Sequence, residues 1–146
     1  MRLIDLRTIL RRTVSDLYGD LVTRRTGAAV RGGIEQELAS WEWVEPAVID
    51  FGAVRCLDLS CADEIVAKLV IQYGSRRFLF RGLTLSQRDA LEPVLQHHGL
   101  AVVVVTDGTG RVELLGPVDP AAVLLDQLRE DGVVAESEGG YRTLVA

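Results

Sequence analysis

The chain is short of the residues that small proteins use as staples. It has two cysteines, Cys56 and Cys61, and two histidines in 146 residues. Two thiols cannot build a disulfide framework, and neither has a histidine close enough in sequence to suggest a zinc site, so no metal is expected. Buried thiols are the expectation for both, with Cys61 also a redox candidate should a helix N-terminus lower its pKa. No apolar run approaches the eighteen or so residues that a membrane span needs. The beginning, Met1 to Arg12, lacks the apolar core and small-residue cleavage site of a signal peptide, so the expected location is cytoplasmic. A Walker A spacing is missing as well, which argues against nucleotide hydrolysis. The two histidines are adjacent and would point apart on a helix, a poor metal pair and a poor base for catalysis. No catalytic residue and no cofactor is expected.

What is present suits one folded domain. Hydrophobic residues make up 48% and charged residues 25%, ordinary values for a globular protein able to bury about two-thirds of its unfolded surface. The net charge of −5 is unevenly spread: residues 1–31 hold seven Arg against three Asp, whereas the remainder holds 9 basic and 18 acidic residues. Such an asymmetry steers anions or an acidic partner toward the basic beginning, or simply marks a solvated helix face. Nucleic acid is not expected of an acidic chain without a recognised motif.

The organising stretch is 48–70. An apolar run from Ala47 to Ile49 leads through Asp50 and Gly52 to Asp58 and Ser60, after which Cys61, Ala62, Ile65, Val66, Leu69 and Val70 recur at helical spacing. Ser60 is predicted to be the helix N-cap, with Asp63 and Glu64 in the first turn facing the positive end of the dipole. Upstream, residues 2–10 mix a strand pattern with helical spacing, and residues 13–21 read as a short helix or turn. Thr26 is the predicted cap of a helix over 27–39, with Ala29, Val30, Ile34 and Leu38 inward and Gly32 and Gly33 awaiting a reason, close packing or room for a ligand. Thr23, Arg24, Arg25 and Thr26 form a candidate anion-binding lead-in, because NH groups at a helix start favour anions. Trp41 and Trp43 either cap the core or anchor a dimer or partner.

Downstream, residues 77–82 alternate as a half-exposed strand does. Thr84 and Gln87 make a capping box for a helix through His98, with Leu85, Leu91, Val94 and Leu95 inward and Pro93 kinking or restarting it. Residues 100–106 read as a buried strand, followed by a hairpin into 112–115. Asp119 with Pro120 would then open a helix carrying Val123, Leu124, Leu125 and Leu128, and a second hairpin over 133–137 and 141–145 would follow. This alternation predicts an α/β sheet with helices mainly on one face. Residues 1–106 form the main unit and 107–146 a hairpin-helix-hairpin appendage, expected to pack on it.

The central stretch resembles a known fold. A strand ending in Asp, a turn, then hydrophobic-Asp-x-Ser before a helix resembles the STAS fold of sulfate transporters and anti-sigma factor antagonists. Ser60, Cys61, Ala62, Asp63 and Glu64 are similar to the Ser-Phe-Ala-Asp-Glu signature of a STAS-like bacterial family of unassigned function. Asp50 and Phe51 match its preceding Asp-Phe pair, and Thr23 and Arg24 its lead-in. The similarity covers residues 21–105, and it implies a STAS-like mixed sheet. It also implies a regulatory protein-binding module whose partner is an ATPase-like serine kinase that phosphorylates Ser60, with Asp58, Cys61, Asp63 and Glu64 around the contact. Leu59 and Cys61 depart from the antagonist pattern, which has Ser or Thr and Gly there. The alternative expectation is a small-ligand or nucleotide sensor using the Arg-rich lead-in.

Overall fold

A computed structural model describes residues 2–13, 20–43, 45–106 and 108–144. The helix or turn expected at 13–21 falls almost wholly outside these, as does the end of the last predicted strand. Residues 2–10, ambiguous by pattern, are two elements in succession: strand β1 (Arg2–Asp5) and helix α1 (Leu6–Thr13). Then come β2 (Asp20–Leu21), α2 (Arg24–Ala39), β3 (Ala47–Asp50) and β4 (Cys56–Leu57). Helix α3 runs over residues 59–73: an α-helical turn at Leu59–Ala62, a widened π segment at Asp63–Ala67 and α-helix again at Lys68–Tyr73. The chain continues through β5 (Phe78–Arg81), α4 (Leu85–His98), β6 (Val102–Val105), β7 (Arg111–Leu115), α5 (Val118–Glu130), β8 (Val134–Ser137) and β9 (Gly140–Thr143).

The fold is mixed α/β. Seven strands form one sheet in the order β1-β3-β5-β6-β7-β9-β8, and β2 pairs separately with β4. The first four are parallel and in register, so Ile4, Ile49, Phe80 and Val104 line up on one face while Leu3, Val48, Leu79 and Val103 line up on the other. Connections between parallel neighbours are right-handed, and four strands laid down in one direction therefore put every crossover helix on the same side. The first face is accordingly packed by Leu6, Ile9, Val30, Ile34, Ile65, Leu69, Leu91 and Leu95 of α1 to α4. Strand β7 reverses direction, so the same handedness sends α5, the crossover from β7 to β8, to the opposite face. There Leu124 and Leu128 cover Val48, Leu79, Val103 and Val105. The predicted appendage thus extends the sheet with three antiparallel strands and roofs its second face.

That roof corrects one expectation. Phe78, Leu79 and Phe80 are fully buried, so β5 is enclosed from both faces rather than half-exposed. Leu85 is a second correction: it is 78% exposed, and Gln87 takes the inward place. The capping box itself forms, with the Gln87 amide also donating to the Val54 carbonyl at 2.9 Å. Helix α4 passes through Pro93 without restarting. Helix α5 begins at Val118 with Pro117 in the cap position, so Asp119 lies in its first turn instead of capping it, and Val123 is exposed. In α2, Val30, Ile34 and Leu38 are buried as expected and Ala29 only partly. A Cβ on Gly33 would stand 2.7 Å from Ile9 Cγ2, whereas none on Gly32 would meet an atom within 4 Å. Close packing against α1 is the reason for Gly33 alone. Trp43 lies 5.7 Å from both Tyr73 and Phe78, with Trp41 at 4.9 Å and the Arg77 guanidinium 5.6 Å over its ring. The tryptophans cap the end of the core.

Candidate functional site

The first turns of α2 and α3 meet at Asp58. Its Oδ1 accepts the Cys61 backbone NH at 2.8 Å and its Oδ2 accepts the Thr23 backbone NH at 2.9 Å. Asp58, not Ser60, is the N-cap of α3, standing in extended backbone just before Leu59. Both residue types cap well, and only Asp58 can reach Thr23 as well, because a carboxylate has two oxygens. Burial raises the Asp58 pKa, but these backbone NH donors outweigh it and leave the carboxyl below its usual range. Thr23 caps α2 in place of the predicted Thr26, accepting the Thr26 NH on its hydroxyl. It does so at φ 74, a conformation that a β-branched residue adopts at a cost of about 1–3 kcal/mol. The surroundings hold it there from both ends of the residue: Asp58 takes its NH, and the Cys61 thiol donates to its carbonyl at 2.9 Å.

The same contact fixes the cysteines. Cys61 is fully buried, and burial followed by the charge of Asp58 pushes its pKa up to about 12. Burial and the negative neighbour thus work against the lowered pKa that a redox role would need. Cys56 is exposed, contrary to the expectation of two buried thiols. Gly27 explains the closeness of the helices, since a Cβ there would lie 2.9 Å from Glu64 Cβ and 3.1 Å from Cys61 Cα.

Behind the junction sits a carboxylate cluster. Glu64 is 3% exposed, yet it meets three cations: Lys68 at 2.6 Å, Arg24 at 2.9 Å and Arg31 at 3.4 Å. Burial pushes its pKa up, and the hydrogen bonds from Lys68 and Arg24 pull it down by more, so the carboxyl ends below its usual range. Asp63 is bonded to Arg24 at 2.7 Å and to His98 Nε2 at 2.6 Å. These partners likewise overcome burial and lower its pKa. Both acids lie on the π segment of α3, a distortion that recurs at functional sites.

In front of the junction is an open cleft of about 350 Å³, lined by Arg24, Leu59, Ser60, Asp63, Pro93, Val94, His97 and His98. Leu59 is 53% exposed at its rim. The Ser60 hydroxyl makes no hydrogen bond among the described residues, so no Ser–His pair forms although both histidines line the same space. Of the predicted site residues, Ser60, Asp63 and Arg24 come together here. Asp58, Cys61 and Glu64 belong to the adjoining helix junction, and neither they nor Thr23, Arg25 and Thr26 line the cleft. Arg24 is engaged by two carboxylates through Nη1 alone. The histidines, Pro93 and Val94 were missed because they arrive from α4, and nothing near Ser60 in sequence announces them. The Glu64–Lys68 pair, by contrast, has the i,i+4 spacing that sequence can show.

Comparison with family models, with curated proteins and with solved structures finds no match to this chain. No group of three or more His, Cys, Asp or Glu side chains among the described residues is placed to hold a metal. No helix among them is long and apolar enough to cross a membrane.

Proposed function

We propose that this chain is a non-enzymatic regulatory module that binds a protein partner through the Ser60 cleft, acts in the cytoplasm and is switched by phosphorylation of Ser60. One observation carries the reading. The residue that caps α3 is Asp58, so the Ser60 hydroxyl beside it is spared for another use, and Ser60 is a partly exposed residue. Helix caps and phosphorylation sites ask for the same residue types at the same place. Here the two roles fall on different side chains. Exposed Leu59 next to Ser60, with Pro93 and Val94 across the cleft, supplies apolar surface for a partner. A phosphate adds about −1.5 to −2 charges at pH 7 and would oppose an apolar or acidic contact by desolvation and repulsion. The resemblance of 60–64 to the STAS-like signature makes an ATPase-like serine kinase of the anti-sigma type the partner to look for.

The test is affinity capture from cells of the source organism with wild type, Ser60→Ala and Ser60→Glu as parallel baits. Each bait is first checked for folding by circular dichroism. A protein retained by wild type and Ser60→Ala but lost with Ser60→Glu supports the switch. Identical recovery on all three baits rejects it.

A further inference from the structure

The geometry points to a phosphate-binding subsite in the same cleft, in which Arg24 receives the phosphate of Ser60 within the chain itself. This rests on the reading of Ser60 as a modification site and adds what happens to the phosphate once it is there. Arg24 uses a single nitrogen, Nη1, for both Asp63 Oδ2 at 2.7 Å and Glu64 Oε1 at 2.9 Å. Its Nε and Nη2 make no hydrogen bond among the described residues, and the side chain is 54% exposed. The guanidinium is therefore anchored through Nη1 alone, and Arg24 lines the same cleft as Ser60. A planar edge with parallel N–H groups matches two oxygens of a phosphate monoester, and a bidentate charge-assisted pair is the strong form of this contact.

Among the described residues, the charged and titratable groups at that space come from three elements. From α2 comes Arg24. From α3 and its cap come Asp63, Glu64, which is bonded to Arg24, Lys68 and Arg31, and Asp58, and from α4 come His97 and His98. Asp63 is held by Arg24 and His98, and both oxygens of Asp58 are taken by backbone NH groups. The acids that would repel a phosphate are thus already partnered, and the unused donor edge belongs to Arg24. Binding there ties the start of α2 to the start of α3 across the cleft. The phosphate then lies over the apolar floor at Pro93 and Val94 that a partner would use, so the modified chain blocks its own site.

The experiment uses the full chain with phosphoserine installed at position 60 by genetic encoding, so that no kinase is required. Phosphorus NMR follows the second ionisation of the phosphate in three backgrounds: otherwise wild type, Arg24→Gln and Lys68→Gln. Lys68→Gln removes the same charge from the same Glu64 cluster, at a residue that does not line the cleft. The expected result is a second pKa about one unit higher in Arg24→Gln than in wild type, and a much smaller change in Lys68→Gln. Equal shifts in the two variants, or none in either, overturn the proposal. If Arg24→Gln does not fold, the Arg24 Nε–H resonance of the phosphorylated wild type decides: it is expected to titrate with the phosphorus signal, and indifference to that titration overturns the subsite. Failure of the regulatory reading is distinguishable. In that case partner capture ignores Ser60 while the phosphate still titrates with Arg24.

Discussion

Replacing Asp58 should cost more stability than replacing any polar residue that lines the cleft beside it. Asp58→Ala removes two charge-assisted hydrogen bonds to backbone NH groups, at 2.8 and 2.9 Å. Loss of a helix N-cap costs about 0.5–2 kcal/mol, and a second bond of this kind about 1.5 kcal/mol or more. Thr23 adds to the loss, because its left-handed backbone is held by one of those bonds. The expected total is about 2–4 kcal/mol, partly softened by water reaching the freed groups. Asp58→Asn keeps one good acceptor for Cys61 and should lose about 1–2 kcal/mol. Ser60→Ala, two residues away, should change stability by no more than about 0.5 kcal/mol. Urea unfolding followed by tryptophan fluorescence reads all three, with stability taken from the midpoints at constant slope. The Asp58 carboxyl is held below its usual range, so its contribution is fully present above the ordinary carboxylate pKa and is lost as pH falls through the depressed native value. The gap between wild type and Asp58→Asn should therefore narrow in acid. If Ser60→Ala costs as much as Asp58→Ala, the assignment of the cap is wrong, and with it the argument that the Ser60 hydroxyl is spare.

The two neighbouring glycines of α2 should respond in opposite directions to alanine. Gly32→Ala meets no atom within 4 Å and should stabilise by about 0.5–1 kcal/mol through helix propensity, whereas Gly33→Ala collides with Ile9 and Thr13 and should destabilise by about 1–3 kcal/mol; thermal unfolding of the pair checks this. In the native protein an alkylating reagent should label Cys56 and leave Cys61 unmodified until denaturant is added, as peptide mass spectrometry would show. Glu64→Gln should destabilise by about 1–3 kcal/mol, since it strands partly exposed cations around a neutral buried amide. The wild-type advantage over Glu64→Gln should disappear as pH falls below the usual carboxylate range, because the Glu64 pKa is depressed in the fold; urea midpoints across acid pH measure it.

Local chemistry made much of this fold legible. The stripe from Cys61 to Val70 is buried throughout, and Thr84 with Gln87 forms its capping box. The errors arose where a distant residue decided between local options. Asp58 and Ser60 are both competent caps two positions apart, and the choice is made by Thr23, 35 residues away in sequence. Leu85 fits the apolar period of α4, yet Gln87 is turned inward by a bond to Val54. Strand β5 has arginines at its ends and looks half-wetted, but α5 arrives from much later in the chain to cover its other face. The cleft was only partly readable for the same reason: Ser60, Asp63 and Arg24 carry sequence signals, whereas His97 and His98 gain their place from the packing of α4 against α3.

The reversal of β7 has a consequence during synthesis. Residues 1–106 contain every crossover of the first face, so they can assemble that layer while the remainder is still being made. Until α5 is added, the row Val48, Leu79 and Val103 remains open to water. A chain with residues 1–106 folded and α5 not yet docked would present a half-built sheet, the kind of intermediate that aggregates. Residues 118–130, which carry α5, thus close the second face of the sheet.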